Sequence, residues 1–205
     1  VRRVMKEHKR IIFNGDGYSE AWTEEAKRRG LLNLATTVDA LPRYLDQKNV
    51  QLFIRHKIYT EAEMEARYET ILEEYSKTLN IESLTMSSMV RHDILPAVSA
   101  YVASLAEAVN AKRNVCPNLA CTAEVTLIEK LSSLMDEAFQ KVEALDTATA
   151  DSKAESYNAL TAATYYKDVI IPAMEGLRAV VDQMEVDTAS DFWPYPSYGD
   201  LMFKV

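Results

Sequence analysis

The sequence predicts an all-α protein: an elongated antiparallel bundle of three to four long helices, with short N-terminal helices before it and an extended aromatic tail after it. Three observations carry that expectation. Apolar residues between positions 60 and 190 recur at steps of three and four over stretches of roughly 25–50 residues, the period of amphipathic helices. Acids stand four residues ahead of bases at Glu63/Arg67 and Glu73/Lys77, the spacing that supports a helix surface. Turn chemistry is scarce, with 5 Gly and 6 Pro in 205 residues, which argues against a sheet with many tight hairpins.

The chain divides into residues 1–59 (short helices and loops), 60–190 (the long-helix bundle) and 191–205 (the tail). The opening VRRVMKEHKR has no helix cap and reads as the last turns of a helix that begins in a longer chain, its basic residues suiting a C-terminal dipole end. Ile11, Ile12 and Phe13 form a short apolar run, and NGDG at residues 14–17 breaks regular structure. Ser19 is placed to cap a helix over residues 20–29, and Gly30 to stop it. A second short helix starts after Thr37, with Asp39 in its first turn, and runs through Leu41 and Tyr44. Residues 50–59 read as strand or helix, with helix preferred because no strand partner is evident.

Thr60 and Glu63 form a capping-box pattern at the head of the first long helix. Its stripe runs through Met64, Tyr68, Ile71, Leu72, Tyr75 and Leu79. It continues through Leu84, Val90, Ile94, Ala97, Tyr101, Leu105 and Ala108. Pro96 bends this helix or divides it into two coaxial ones. NVCPN at residues 114–118 is a turn. The next helix shows Ile128, Leu131, Met135, Ala138, Val142 and Leu145. Asp151 and Ser152 offer caps at the following turn. The last helix carries Tyr166, Val169, Ala173, Leu177, Val180 and Met184, with Pro172 inside it. A helix of about 30 residues spans about 45 Å, so such a bundle is long.

Composition narrows the function. A hydrophobic content of 48% with 26% charged residues is that of a globular protein with a normal core. The net charge of −8 disfavours nucleic acid as the main partner. Charge is uneven: residues 1–59 carry +5 and residues 60–205 carry −13. That asymmetry fits either solvated helix faces or attraction within one assembly. Cys116 and Cys121 match no zinc spacing and are expected as reduced thiols, in the cytoplasm. No uninterrupted apolar run approaches the ~20 residues of a membrane span, and no signal peptide pattern is present, so no membrane partner is expected.

Catalytic motifs are missing from the sequence. NGDGY lacks the lysine of a phosphate-binding loop and the alternating acids of a calcium loop. His8, His56 and His92 are scattered, and no Glu-x-x-His pair accompanies the acids Glu61, Glu63, Glu65, Glu69, Glu73 and Glu74. No catalytic, cofactor-binding or metal-ligating residue is nominated. The tail DFWPYPSYGDLMF is the exception to this blandness. Pro194 and Pro196 hold it extended, and SYGD reads as a turn ahead of Leu201 and Phe203. Rigid aromatics offer large apolar area at low entropic cost. Phe192, Trp193, Tyr195, Tyr198, Leu201 and Phe203 are the candidate interface residues, docking on their own bundle, on a neighbouring domain or subunit, or on both.

Several stretches together resemble one family. They are KRIIFNGDGY (residues 9–18), Trp22 onward to RGLLNL (29–34), TTVDALP (36–42), YSKTLNIESLTM (75–86), ILPAV (94–98) and WPYPSYGDL (193–201). In this order they resemble the type III glutamine synthetases, the large bacterial class, in the C-terminal region downstream of the catalytic domain. The resemblance implies a parent enzyme that ligates ammonia to glutamate with ATP and a divalent metal, magnesium or manganese, bound upstream. It also implies partners: the catalytic domain of the same chain and neighbouring subunits of a homo-oligomeric ring assembly. No catalytic residue carries over, and this region alone is expected to be inactive. Assembly or architecture is the expected role. A free-standing helical adaptor, gripping a partner through grooves between helices, is the alternative.

Overall fold

The computed structural model describes residues 1–152 and 158–203, with the side chain of Tyr198 outside that description. The chain is 79% helical and, among the described residues, contains no strand. It forms two compact units, Val1–Tyr68 and Glu69–Val205.

The first unit is built from short helices. α1 (Arg2–Glu7) leads into a 3₁₀ turn at Lys9–Ile11. The loop that follows doubles back tightly: a Cβ on Gly15 would stand 2.7 Å from the Phe13 ring, so a larger residue there would push that ring aside. Phe13 stacks on Trp22 with centroids 4.5 Å apart. Trp22 lies in α2 (Glu20–Arg28). Arg29 secures the pair by donating to the carbonyls of Arg10 (3.2 Å) and Ile12 (2.7 Å) while its guanidinium sits 5.7 Å from the Trp22 ring. Glu25 accepts from both Arg28 and Arg29, and these bonds hold its carboxyl at about 2. Gly30, at φ +70°, ends α2 with Leu31 N–H on the Ala26 carbonyl and its own N–H on that of Lys27, the double closure that a left-handed residue permits.

α3 (Thr37–Ala40) is capped by the Thr36 hydroxyl, which accepts from Asp39 N–H, and passes into a 3₁₀ turn at Leu41–Leu45. The segment left between strand and helix in sequence is helical: α4 spans Gln47–Arg55. It closes on Lys57 at φ +54°, a left-handed residue without glycine's freedom, with Ile58 N–H on the Phe53 carbonyl. Tyr44, Phe53 and Tyr59 form a chain of tilted rings, and the Arg67 guanidinium lies 4.4 Å from the Tyr59 ring. The expected capping box is present, Thr60 N–H donating to Glu63 at 2.7 Å and Glu63 N–H to the Thr60 hydroxyl at 3.3 Å.

Three rods build the second unit. The first comprises the part of α5 (Glu61–Met89) beyond Tyr68, a π turn at Val90–Ile94 and α6 (Leu95–Val115). The second is α7 (Thr122–Asp151). The third is α8 (Ala159–Tyr165), a π turn at Tyr166–Ile170 and α9 (Ile171–Asp187). α7 packs along both α6 and α9. The pairs Ser87–Asp146 and Lys112–Glu124 run in opposite sequence directions, as do Tyr165–Ala148 and Lys130–Asp187, so α7 is antiparallel to both neighbours.

Both prolines are accommodated in the same way. Leu95 N–H reaches back five residues to the Val90 carbonyl, and Ile171 N–H to that of Tyr166. Pro96 and Pro172 then fall in the first turn of the next helix, where a missing N–H leaves no gap in the ladder. The rods therefore continue through their prolines, widened by one residue.

That widening and two serines alter the seam read from sequence. Ser83 (1% exposed) and Ser87 (7%) occupy core-facing positions, while Leu84 (53%) and Ile71 (41%) face outward. Both serines have partners: Ser87 donates to Asp146 at 2.5 Å, and Ser83 accepts from Thr149 at 3.3 Å. On the third rod the buried residues are Ala163, Tyr166, Ile170, Met174, Leu177, Val180 and Met184, and Val169 faces outward at the π turn. Leu131, Ala138, Val142 and Leu145 are fully buried on α7, as its stripe predicts.

By length and composition alone, the 55-residue helix Glu61–Val115 is apolar enough over 18 residues to cross a membrane. This amends the expectation drawn from uninterrupted apolar runs. Here its Val90, Ile94 and Val98 belong to the core shared with α7 and α9.

Leu145→Ala is expected to cost about 2–5 kcal/mol, because it empties a fully enclosed site. Leu84→Ala, on the solvent side of α5, should stay within about 0.5 kcal/mol. Urea unfolding of the two variants measures both; equal losses would place Leu84 back in the seam.

Candidate interaction surface

The surface begins where α9 stops. Thr188 takes an extended backbone conformation, and its hydroxyl donates to the Met184 carbonyl at 2.7 Å. Asp187 is tied to Lys130 of α7 at 2.5 Å. Phe192 and Trp193 N–H groups then close a tight turn on the Ala189 carbonyl at 2.9 and 3.1 Å. The turn sends the chain back along the first rod.

Three nominated aromatics dock there. Phe192 meets Tyr101 with ring centroids 5.3 Å apart. Trp193 and Tyr195 pack against the bundle core as half-buried residues. The Tyr195 hydroxyl donates to Asp93 at 2.9 Å, a residue of the π turn. Burial first, and the Asp93 carboxylate second, push the Tyr195 hydroxyl up to about 12.

Beyond Pro196 the path differs from the expected turn. Ser197 accepts from Asp200 N–H at 3.2 Å, while its own N–H donates to the Asp200 carboxylate at 2.9 Å. This reciprocal pair is a capping box in which aspartate replaces the usual glutamate, and it starts α10 (Tyr198–Phe203). The tail is thus extended only as far as this cap. Leu201, Met202 and Phe203 on α10 are 67%, 71% and 78% exposed. The nominated Tyr198 side chain lies outside the described residues.

Sequence reasoning did not find the second feature. A cavity of about 350 Å³ opens between α5 and α9, lined by Ile81, Met86, Met89 and Val90 on the first rod and by Leu177 and Val181 on the third. Glu82 and Arg178 also line it, one on each wall. The cue was Ile81, an apolar residue three positions before Leu84 on the outward side of α5, and it is 64% exposed.

The remaining sequence candidates stay apart. His8, His56 and His92 are exposed, as are the glutamates of α5 from Glu61 to Glu74. Cys116 is exposed, Cys121 is buried, and both are free thiols. Asp16 serves the loop, accepting from Tyr18 N–H at 2.9 Å. Ser19 does not cap α2 with its side chain; its hydroxyl donates to the Asp16 carbonyl at 2.7 Å. Among the described residues, no three His, Cys, Asp or Glu side chains converge as a metal site would require.

These features together define an all-α helical-bundle domain with a docked aromatic tail and an open apolar groove. The chain belongs to the glutamine synthetase C-terminal domain family, whose pattern matches residues 1–113. It is 36% identical, over its whole length, to a glutamine synthetase of Butyrivibrio fibrisolvens. Over 99% of the chain it is 34% identical to the type-3 glutamine synthetase of Dictyostelium discoideum, and over 98% it is 29% identical to a glutamine synthetase of Bacteroides fragilis. The chain spans 28–30% of the length of these relatives.

The Tyr195 anchor has a pH signature. Its folded-state value lies above the ordinary 10, so its contribution to docking is complete below about 10 and is lost as pH rises through about 12. In a Trp22→Phe background, which leaves Trp193 as the single tryptophan, indole emission should shift across that interval. Tyr195→Phe keeps the ring and should remove that step.

Proposed function

We propose that this domain shapes the assembly of a type-3 glutamine synthetase in the cytoplasm of a bacterial cell. The parent enzyme would ligate ammonia to glutamate with ATP and magnesium or manganese, serving nitrogen assimilation. The catalytic domain of the same chain and neighbouring subunits of a ring assembly would be its partners. The observation that carries this reading is the exposure of Leu201, Met202 and Phe203, three consecutive large apolar side chains left in solvent around a capped helix. Exposed apolar clusters are characteristic of contact surfaces. The match to a C-terminal domain of glutamine synthetases supports this reading of the parent enzyme.

The described residues do not supply the donor set that ATP and a divalent metal require. Acids along α5 project into solvent, and the groove between α5 and α9 is lined mainly by apolar side chains. No step of the ligase reaction is assigned to them.

Deleting residues 191–205 from the whole enzyme is expected to lower the mass of its assembly, read by light scattering; an unchanged mass overturns the role. The 205-residue chain incubated with ATP, glutamate and ammonium is expected to release no phosphate. Release above a no-protein control would place active-site residues within it.

A further inference from the structure

The first half of the tail meets the first rod on both sides of Pro96. Tyr195 donates to Asp93, in the π turn before the proline, at 2.9 Å. Phe192 meets Tyr101, in α6 after the proline, with ring centroids 5.3 Å apart. We propose that residues 192–195 are a splint, which holds the two halves of the first rod in line across its π turn. The inference goes beyond the assembly role and rests neither on α10 nor on the groove.

Helices bend most readily at prolines and at π turns, and the first rod has the two side by side. On the side facing α7 the turn is held by Val90 and Ile94 in the core and by Arg91, which pairs with Asp146 at 2.6 Å. Asp93, two residues on, projects from the opposite side of the helix, and there the tail supplies its partner. The spacing of the anchors agrees with a splint. From Asp93 to Tyr101 the helix rises about 12 Å. From Phe192 to Tyr195 the chain reaches at most about 11 Å, running antiparallel to the rod. Trp193, between the anchors, packs against the core, and Pro194 removes one backbone freedom from the strap. At its near end the strap is fixed to the other two rods. Asp187 pairs with Lys130 of α7 at 2.5 Å, and the Thr188 hydroxyl donates to the Met184 carbonyl of α9. Bending of the first rod is thereby resisted through α7 and α9.

The third rod provides a comparison within the same molecule. Its π turn at Tyr166–Ile170 also precedes a proline, Pro172. There the pin comes from the rods themselves: the Tyr166 hydroxyl reaches Asn80 at 3.1 Å and Ser152 at 3.0 Å. At Asp93 it comes from the tail. Loss of the tail's anchors is therefore felt at the first junction and not at the second.

Amide hydrogen exchange on the whole enzyme, read by mass spectrometry, measures how often each junction opens. Tyr195→Phe is expected to accelerate exchange over residues 90–98 roughly two- to tenfold, the range of one hydrogen bond. Phe192→Ala is expected to act in the same direction, and both variants should leave residues 166–174 unchanged. Asp93→Ala combined with Tyr195→Phe should be no faster than the faster of the two alone, because the two groups form one contact. Unchanged exchange over residues 90–98 in both tail variants overturns the splint. So does equal acceleration at the two junctions, which would make the tail a source of general stability only. Phe203→Asp changes a side chain that is 78% exposed and lies beyond the splint. It should leave residues 90–98 unchanged; acceleration there overturns the proposal, since the protection would then come from the assembly contact. If deletion of residues 191–205 leaves the mass of the enzyme unaltered while residues 90–98 exchange faster, the assembly role falls and the splint stands.

Discussion

A proline in the middle of a core helix has to be reconciled with an unbroken seam, and the second unit meets that constraint twice. Proline lacks the N–H that an α-helix needs, and its ring crowds the carbonyl four residues back. In both outer rods a π turn precedes it, so the preceding residue bonds five positions back and the proline begins a new helix. The spacing of buried residues records the adjustment. Steps of four follow one another at Val90, Ile94 and Val98, and again at Tyr166, Ile170 and Met174. In a regular α-helix two successive steps of four would have turned the stripe about 80° off the core.

Polar pins fix the register of the three rods. Asp146 accepts from Ser87 and from Arg91, whose guanidinium reaches it at 2.6 and 3.0 Å. About two turns further along the same end of the seam, Tyr166 of the third rod donates to Asn80 of the first at 3.1 Å and meets Ser152, the residue that ends α7, at 3.0 Å. A slip of one residue between rods would leave the buried members, Ser87, Ser152 and Tyr166, without partners, at about 1–3 kcal/mol each. Apolar burial provides the driving force, and such pairs select one alignment from the several that a greasy stripe permits.

Much of this was legible in the residues. The α7 stripe, the capping box at Thr60 and the stop at Gly30 each rest on local chemistry that a short window contains. The seam of α5 was not, because Ser83 and Ser87 are polar and become core residues only through partners 66 and 59 positions away. Val169 was misplaced for a related reason: periodicity assumes a constant pitch, and the π turn changes it. Lys57 in a left-handed conformation gave no signal, since lysine does not announce a helix end as Gly30 does. At the candidate surface the aromatics announced themselves by composition, whereas the groove is a property of two helices distant in sequence and of neither alone.

The bond between Tyr195 and Asp93 joins the tail to the widened turn itself. Were that turn to tighten into ordinary α-helix, Asp93 would swing about 100° around the axis, the angle one residue subtends. The hydroxyl would then face empty water. Fastening of the C-terminal segment is thereby tied to the local pitch of a helix a hundred residues earlier, at the turn that holds its partner.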